Sequence, residues 1–191
     1  MIKLISNLLI IFSTLIIFSC TKTEKQINTS NNKNIEKAFF DYDEIEYYHN
    51  KRYNKLSGVR DFYDEFQKNV KDSTEFKLLI GGTPENLKDS TFVKRLSNAG
   101  FEKINLSIDK QEQLKRIFVE KNREPEEKAA LKPMFNDILI FRKKGKITGF
   151  SKLSFEYLQS RVIGTSSNTD YFPTDAEHKE IEKILYKTLE K

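Results

Sequence analysis

The 191-residue chain carries 33 lysines and arginines against 28 acidic residues, with a single cysteine and no tryptophan. One cysteine excludes an internal disulfide, a paired-thiol redox centre and a cysteine-rich metal site. The basic excess is mild, and from residue 36 onward the balance is 29 against 27, which excludes the strongly basic domain that a nucleic-acid binder presents.

MIKLISNLLIIFSTLIIFSC opens the chain: Lys3 is its only charge, an apolar run follows, and Ser19 is a small residue before Cys20. Basic start, apolar middle and small residue at the cut compose a secretory signal. The competing reading, an uncleaved membrane helix, needs about 20 apolar residues, and Ser6, Asn7, Ser13 and Thr14 interrupt this shorter run. The end of the run, Ile17-Phe18-Ser19-Cys20, resembles the lipobox of bacterial lipoproteins. Ile17 departs from the commoner Leu, and Phe18 is bulky for its place. The resemblance implies cleavage before Cys20, a diacylglyceryl group on its sulfur and acylation of the new amino group. A lone cysteine in an exported chain has no disulfide partner, and two or three acyl chains hold a protein durably where one does not. Cys20 is therefore read as a lipidation site, which also withdraws it from thiol catalysis and metal ligation.

Residues 1–19 are then a signal peptide and 20–35 a tether, polar and rich in Asn, Thr and Lys, too poor in apolar groups to offset its ordering entropy. Lys22, Lys25 and Lys33 could touch anionic headgroups, at about 1 kcal/mol each near the surface; a solvated spacer is the plainer alternative. Thr21 stands where many inner-membrane lipoproteins carry Asp, and Lys22 and Glu24 are similar to charged signals that route some lipoproteins to the cell surface. The expected location is the cell envelope, lipid-anchored to the outer membrane.

Residues 36–191 have the length of a single domain, in which roughly two-thirds of the surface is buried. AFFDYDEIEYYHN (38–50) is aromatic and β-prone, with a phase slip between Phe40/Tyr42 and Ile45/Tyr47 that predicts a bulge or two short strands. Val59, Phe62, Tyr63, Phe66 and Val70 have helical spacing. EFKLLIGG stops at Gly81-Gly82 and Pro84. Asp89 is placed to cap a short helix carrying Phe92, Val93 and Leu96, closed by Gly100. FEKINL (101–106) reads as a strand, and Asp109 with Glu112 as a capping box for a helix bearing Leu114, Ile117 and Phe118. NREPEEKAALKP (122–133) reads as an exposed, charged connection. DILIF (137–141) is apolar on both faces, as a central strand is. RKKGK then turns, with Gly145 suited to positive φ. In KITGFSKLSFEY, Ile147, Leu153, Phe155 and Tyr157 are expected on one face, with Lys146, Thr148, Lys152 and Glu156 on the other. RVIGT (161–165) returns as a third strand. Thr174 and Glu177 make a capping box for a last helix that turns Ile181, Ile184, Leu185 and Leu189 inward. Asp175 and Glu177 at its start and Lys187 and Lys191 at its end suit the helix dipole. Strands grouped late in the chain indicate α+β: an antiparallel meander over 137–165, joined by one or two earlier strands, with helices on one face.

Candidate chemistry is sparse. His178 beside Ser166 or Ser167 suggests a hydrolytic pair, but no G-x-S-x-G elbow accompanies them, and a surface histidine is the expectation there. His49 follows the aromatic strand. DYDEIE (41–46) holds four carboxylates; on a strand they alternate between faces, so a charge-protected sheet edge competes with a calcium site. IGGTPENL lacks the Lys-Ser/Thr of a phosphate loop and reads as a turn. Arg142, Lys143, Lys144 and Lys146 make a basic hairpin tip, which with Tyr47 and Tyr48 is the candidate partner surface. Phe39, Phe40 and Tyr53 complete an aromatic set suited either to an interface or to the core.

DILIFRKKGKITGFSKLSFEY…VIGT, with the aromatic strand before it and the helix after it, resembles an uncharacterised family of small envelope proteins of low-GC Gram-negative bacteria. Relatives often carry cysteines before the first hairpin strand and after the Phe155-Glu156 pair, around the places where Ala129, Ala130 and Tyr157 lie here. The resemblance implies the domain and no activity. A non-enzymatic lipoprotein whose domain binds a protein partner or envelope component is therefore expected. An inhibitor or immunity role is one form of it. No cofactor and no nucleic acid are expected. The alternative is a carboxylate- or metal-dependent enzyme using residues 41–46, and a purely structural role is a third possibility.

Overall fold

The structure, a computed structural model, describes residues 36–51, 73–89, 91–127 and 133–189. Cys20, the signal, the tether, Tyr53 and the helical pattern over 59–70 lie outside them. The described residues form five strands, β1 (Glu44–Asn50), β2 (Phe101–Ile104), β3 (Asp137–Lys143), β4 (Lys146–Ser154) and β5 (Gln159–Ile163). They also form four helices, α1 (Ser73–Leu79), α2 (Phe92–Asn98), α3 (Ile108–Ile117) and α4 (Asp175–Tyr186). The fold is α+β, an antiparallel sheet in the order β2-β1-β3-β4-β5 with the helices against it. β3 is central and begins the expected meander, and β1 and β2 are the earlier strands.

Because β3 is apolar on both sides, both sides need cover. Leu139 and Phe141 join Ile45, Tyr47 and Leu153 under α3 and α4. Ile138 and Ile140 join Tyr48, Phe150 and Ile163 under α1 and α2. The helices thus divide between the two faces, where one covered face was expected.

β4 corrects a second expectation. Phe141 pairs with Gly149 and Arg142 with Ile147, so Thr148 is the extra residue of a bulge. One inserted residue exchanges the faces of everything beyond it. Ile147 therefore packs on the α1/α2 side while Leu153 and Phe155 pack on the other. Gly149 sits beneath the Phe40 ring, where a Cβ would lie 2.1 Å from the ring carbons; glycine in a strand marks such a close approach. At the hairpin tip Lys144 (φ 49°) and Gly145 (φ 76°) both have positive φ, as a two-residue type I′ loop requires.

The Thr174–Glu177 capping box forms: Glu177 N–H donates to Thr174 Oγ1 (3.2 Å) and Thr174 N–H to Glu177 Oε2 (3.0 Å). The one expected at Asp109 and Glu112 does not, because α3 starts earlier, with Ser107 at its N-cap and no side-chain cap. Asp89 lies just ahead of α2 and accepts from Thr91 N–H (3.2 Å) rather than occupying the cap position, which is Thr91. β1 is one strand, and the residues before it cross to the end of α3 through an Ala38–Val119 bridge.

Candidate functional site

β1 and β3 run antiparallel with His49 opposite Asp137, and Tyr47 points to the same face two residues earlier. Asp137 accepts three hydrogen bonds there: from Tyr47 Oη (2.6 Å), His49 Nδ1 (2.8 Å) and, from α4, Tyr186 Oη (3.2 Å). Tyr47, His49 and Asp137 are each at most 1% exposed. Burial first, and then the Asp137 charge, pushes both tyrosine hydroxyls well above their ordinary value. The carboxylate is saturated by donors in the core, an arrangement that fixes the β1–β3–α4 junction. His178, expected at the surface, is fully buried, with its ring edge-on to Phe155 at 6.1 Å. The reason is its position on the inward stripe of α4 with Ile181 and Leu185. Ser166 is exposed.

The acidic run meets the basic tip. Arg142 Nε (2.8 Å) and Lys103 Nζ (2.5 Å) both pair with Glu46, Lys143 pairs with Asp41 (3.0 Å), and the Lys144 N–H donates to Asp43 (3.0 Å). Burial pushes the Glu46 carboxyl up, but hydrogen bonds from Lys103 and Arg142 outweigh it and hold the group below its ordinary value. These carboxylates go to separate partners. Among the described residues no group of three or more His, Cys, Asp and Glu is placed to hold a metal ion. Of the candidate partner surface, Lys144 and Lys146 are exposed at the tip. Tyr47 (0%) and Tyr48 (5%) are buried on opposite faces of the sheet and are corrected to core residues; of the two readings of Phe39 and Phe40, the core is the one found.

An open cleft lies beside the α1/α2 face. It holds about 370 Å³ and is lined by Lys77 from α1, Thr83, Glu85, Asn86 and Asp89 from the following loop, and Arg95 from α2. Arg95 pairs with Asp89, and its Nη1 donates to Thr91 Oγ1 (2.9 Å). Burial pushes the Asp89 carboxyl up, and hydrogen bonds from Thr91 and Arg95 outweigh it, so the group titrates below its ordinary value. The wall is tied to the sheet by Lys152, whose Nζ donates to the carbonyls of Gly81 and Thr83 (both 3.0 Å) and lies 4.6 Å from the centre of the Phe135 ring. Lys152 was expected on the face of β4 shared by Lys146, Thr148 and Glu156, and it is fully buried. Burial, and then the nearby Arg161 charge, lowers its pKa to about 7.

Sequence reasoning missed Lys152, Asp137 and Arg123. Arg123, in the connection expected to be exposed, is buried; it forks onto Glu177 through Nε (2.9 Å) and Nη2 (3.0 Å) and stacks on Phe172 at 4.8 Å. An aspartate abutting ILIF and a lysine between Phe150 and Leu153 of β4 were the available signals. Comparison with protein-family models, curated proteins and solved structures finds no match to this chain.

Proposed function

We propose that this protein is an envelope lipoprotein, anchored to the outer membrane through lipidated Cys20, whose α+β domain binds a protein partner or envelope component without transforming it. One observation carries the binding half. The histidine–carboxylate pair is closed inside the core among tyrosines, whereas the accessible cleft is lined by charge of both signs. Such a lining recognises by complementary charge. The anchor half rests on Ile17-Phe18-Ser19-Cys20 at the end of the apolar run.

Labelling growing cells with a palmitate analogue tests the anchor: incorporation is expected in the wild type and lost in Cys20→Ala, and equal incorporation in both removes it. Crosslinking in intact cells, followed by recovery of the lipidated protein, tests the binding reading. A specific crosslinked partner is expected, and recovery of none overturns it.

A further inference from the structure

We infer that the cleft between α1 and α2 receives a zwitterionic group of the amino-acid or short-peptide class, with the ligand carboxylate on Lys77 and Arg95 and its ammonium on Glu85 and Asp89. This rests on the binding reading and gives it a site and a ligand chemistry. Size agrees first: about 370 Å³ is at the small end of ligand pockets. The charges then select the ligand. Lys77 and Glu85 line the same cavity, and among the described residues no ion pair or hydrogen bond engages either terminal group. A ligand bearing one charge would neutralise only one of them, and an ammonium and a carboxylate together neutralise both. The lining has no aromatic ring on which a sugar would stack and no large apolar side chain to hold a lipid tail.

The site is also held in place before binding, which lowers the ordering cost. Asp89 is fixed by Thr91 and Arg95, and Arg95 in turn by Thr91. The opposite wall hangs from Lys152 through the Thr83 carbonyl. Arg95 has five N–H groups in a rigid fork, and its contacts to Thr91 and Asp89 leave donors for a carboxylate.

The test is calorimetric titration of the full-length lipidated protein in detergent with four probes: alanine, alanyl-alanine, N-acetyl-alanyl-alanine and alanyl-alanine amide. Binding of alanine or alanyl-alanine is expected, with the tighter of the two showing whether a free amino acid or a peptide is the better fit. Blocking either charge should weaken binding about tenfold or more, the scale of one lost ionic contact. In Lys77→Met the preference for the free dipeptide over its amide should shrink, with Arg95 keeping part of it; in Glu85→Gln the preference over the acetylated form should shrink likewise, with Asp89 keeping part of it. Both side chains are exposed, so neither variant threatens the fold. Absence of binding by alanine and alanyl-alanine at millimolar concentration, or equal binding of free and blocked dipeptides, overturns the cleft assignment. If the crosslinked partner is still recovered in that case, the binding reading survives without this site; if dipeptide binds and no partner is recovered, the failure lies in the partner reading instead.

Discussion

Asp137 receives three donors from two elements, Tyr47 and His49 of β1, which are buried with it, and the half-buried Tyr186 of α4. Removing the carboxylate leaves the Tyr47 hydroxyl and the His49 N–H without an acceptor in a dry environment, at about 1–3 kcal/mol per orphaned group. Asp137→Ala should therefore lower unfolding free energy by about 4 kcal/mol in urea titration, and a loss under 1 kcal/mol would show the network to be dispensable. His49 was visible in the sequence as an isolated histidine. Its partner, 88 positions away, was not, because only the β1–β3 register brings the two together. Lys152 was hidden for a related reason: period-2 alternation assigns it to one face of β4 but does not reveal that α1 and its loop cover that face.

At the scale of the element, local chemistry was readable where its partners are three residues apart and uncontested. Thr174 and Glu177 satisfied each other as expected. Asp109 and Glu112 show the same spacing, but Ser107 started the helix earlier. The α4 start is reinforced by Arg123, whose guanidinium is buried against the capping Glu177. Breaking the pair leaves a half-buried carboxylate with only Lys121 (3.5 Å) as its cation, and Arg123→Ala should cost about 3 kcal/mol and reduce the protection of the first-turn α4 amides in hydrogen exchange. In β4 the apolar alternation was legible but its phase was not, since the Thr148 bulge depends on how two strands pair. Gly149→Ala would place a methyl group within the Phe40 ring. A destabilisation of about 2–3 kcal/mol is expected, measured by thermal unfolding, with Gly149→Ala/Phe40→Leu recovering part of it.

For the molecule as a whole, stability should follow pH in three stages. The Glu46 and Glu177 carboxyls are each raised by burial but held, on balance, below their ordinary value by Lys103 and Arg142 and by Arg123 and the Thr174 N–H. Their contribution is present above the ordinary carboxylate value and lost as pH falls through the lowered one. Lys152 acts with the opposite sign. Below about pH 7 it is protonated folded and unfolded, and the cost of burying its charge is carried in full. Between about 7 and its ordinary 10.5 the unfolded chain binds a proton that the folded one does not, so stability rises with pH. Above the ordinary tyrosine value of 10.0, Tyr42, Tyr47 and Tyr186 ionise only in the unfolded chain, and stability falls again. Unfolding free energy, followed from pH 4 to 11, should therefore peak between pH 9 and 10, on the sign of these linkages. Lys152→Met should flatten the rise between 7 and 10; an unchanged slope in that variant would assign the rise to other groups.

By itself the sequence determined what is local: the apolar opening run and its cysteine, the α+β class, the central strand, the hairpin turn at Lys144-Gly145 and the cap of the last helix. Each depends on residues within a few positions of one another, where backbone geometry and hydrophobic periodicity decide. Only the tertiary structure decided which faces the helices cover, that Lys152 and His178 are inside, that the acidic run pairs with Arg142 and Lys143 of the hairpin, and that Lys77, Glu85 and Arg95 share a cleft. Those outcomes come from strand register and from packing between segments distant in sequence, which residue spacing along the chain does not encode.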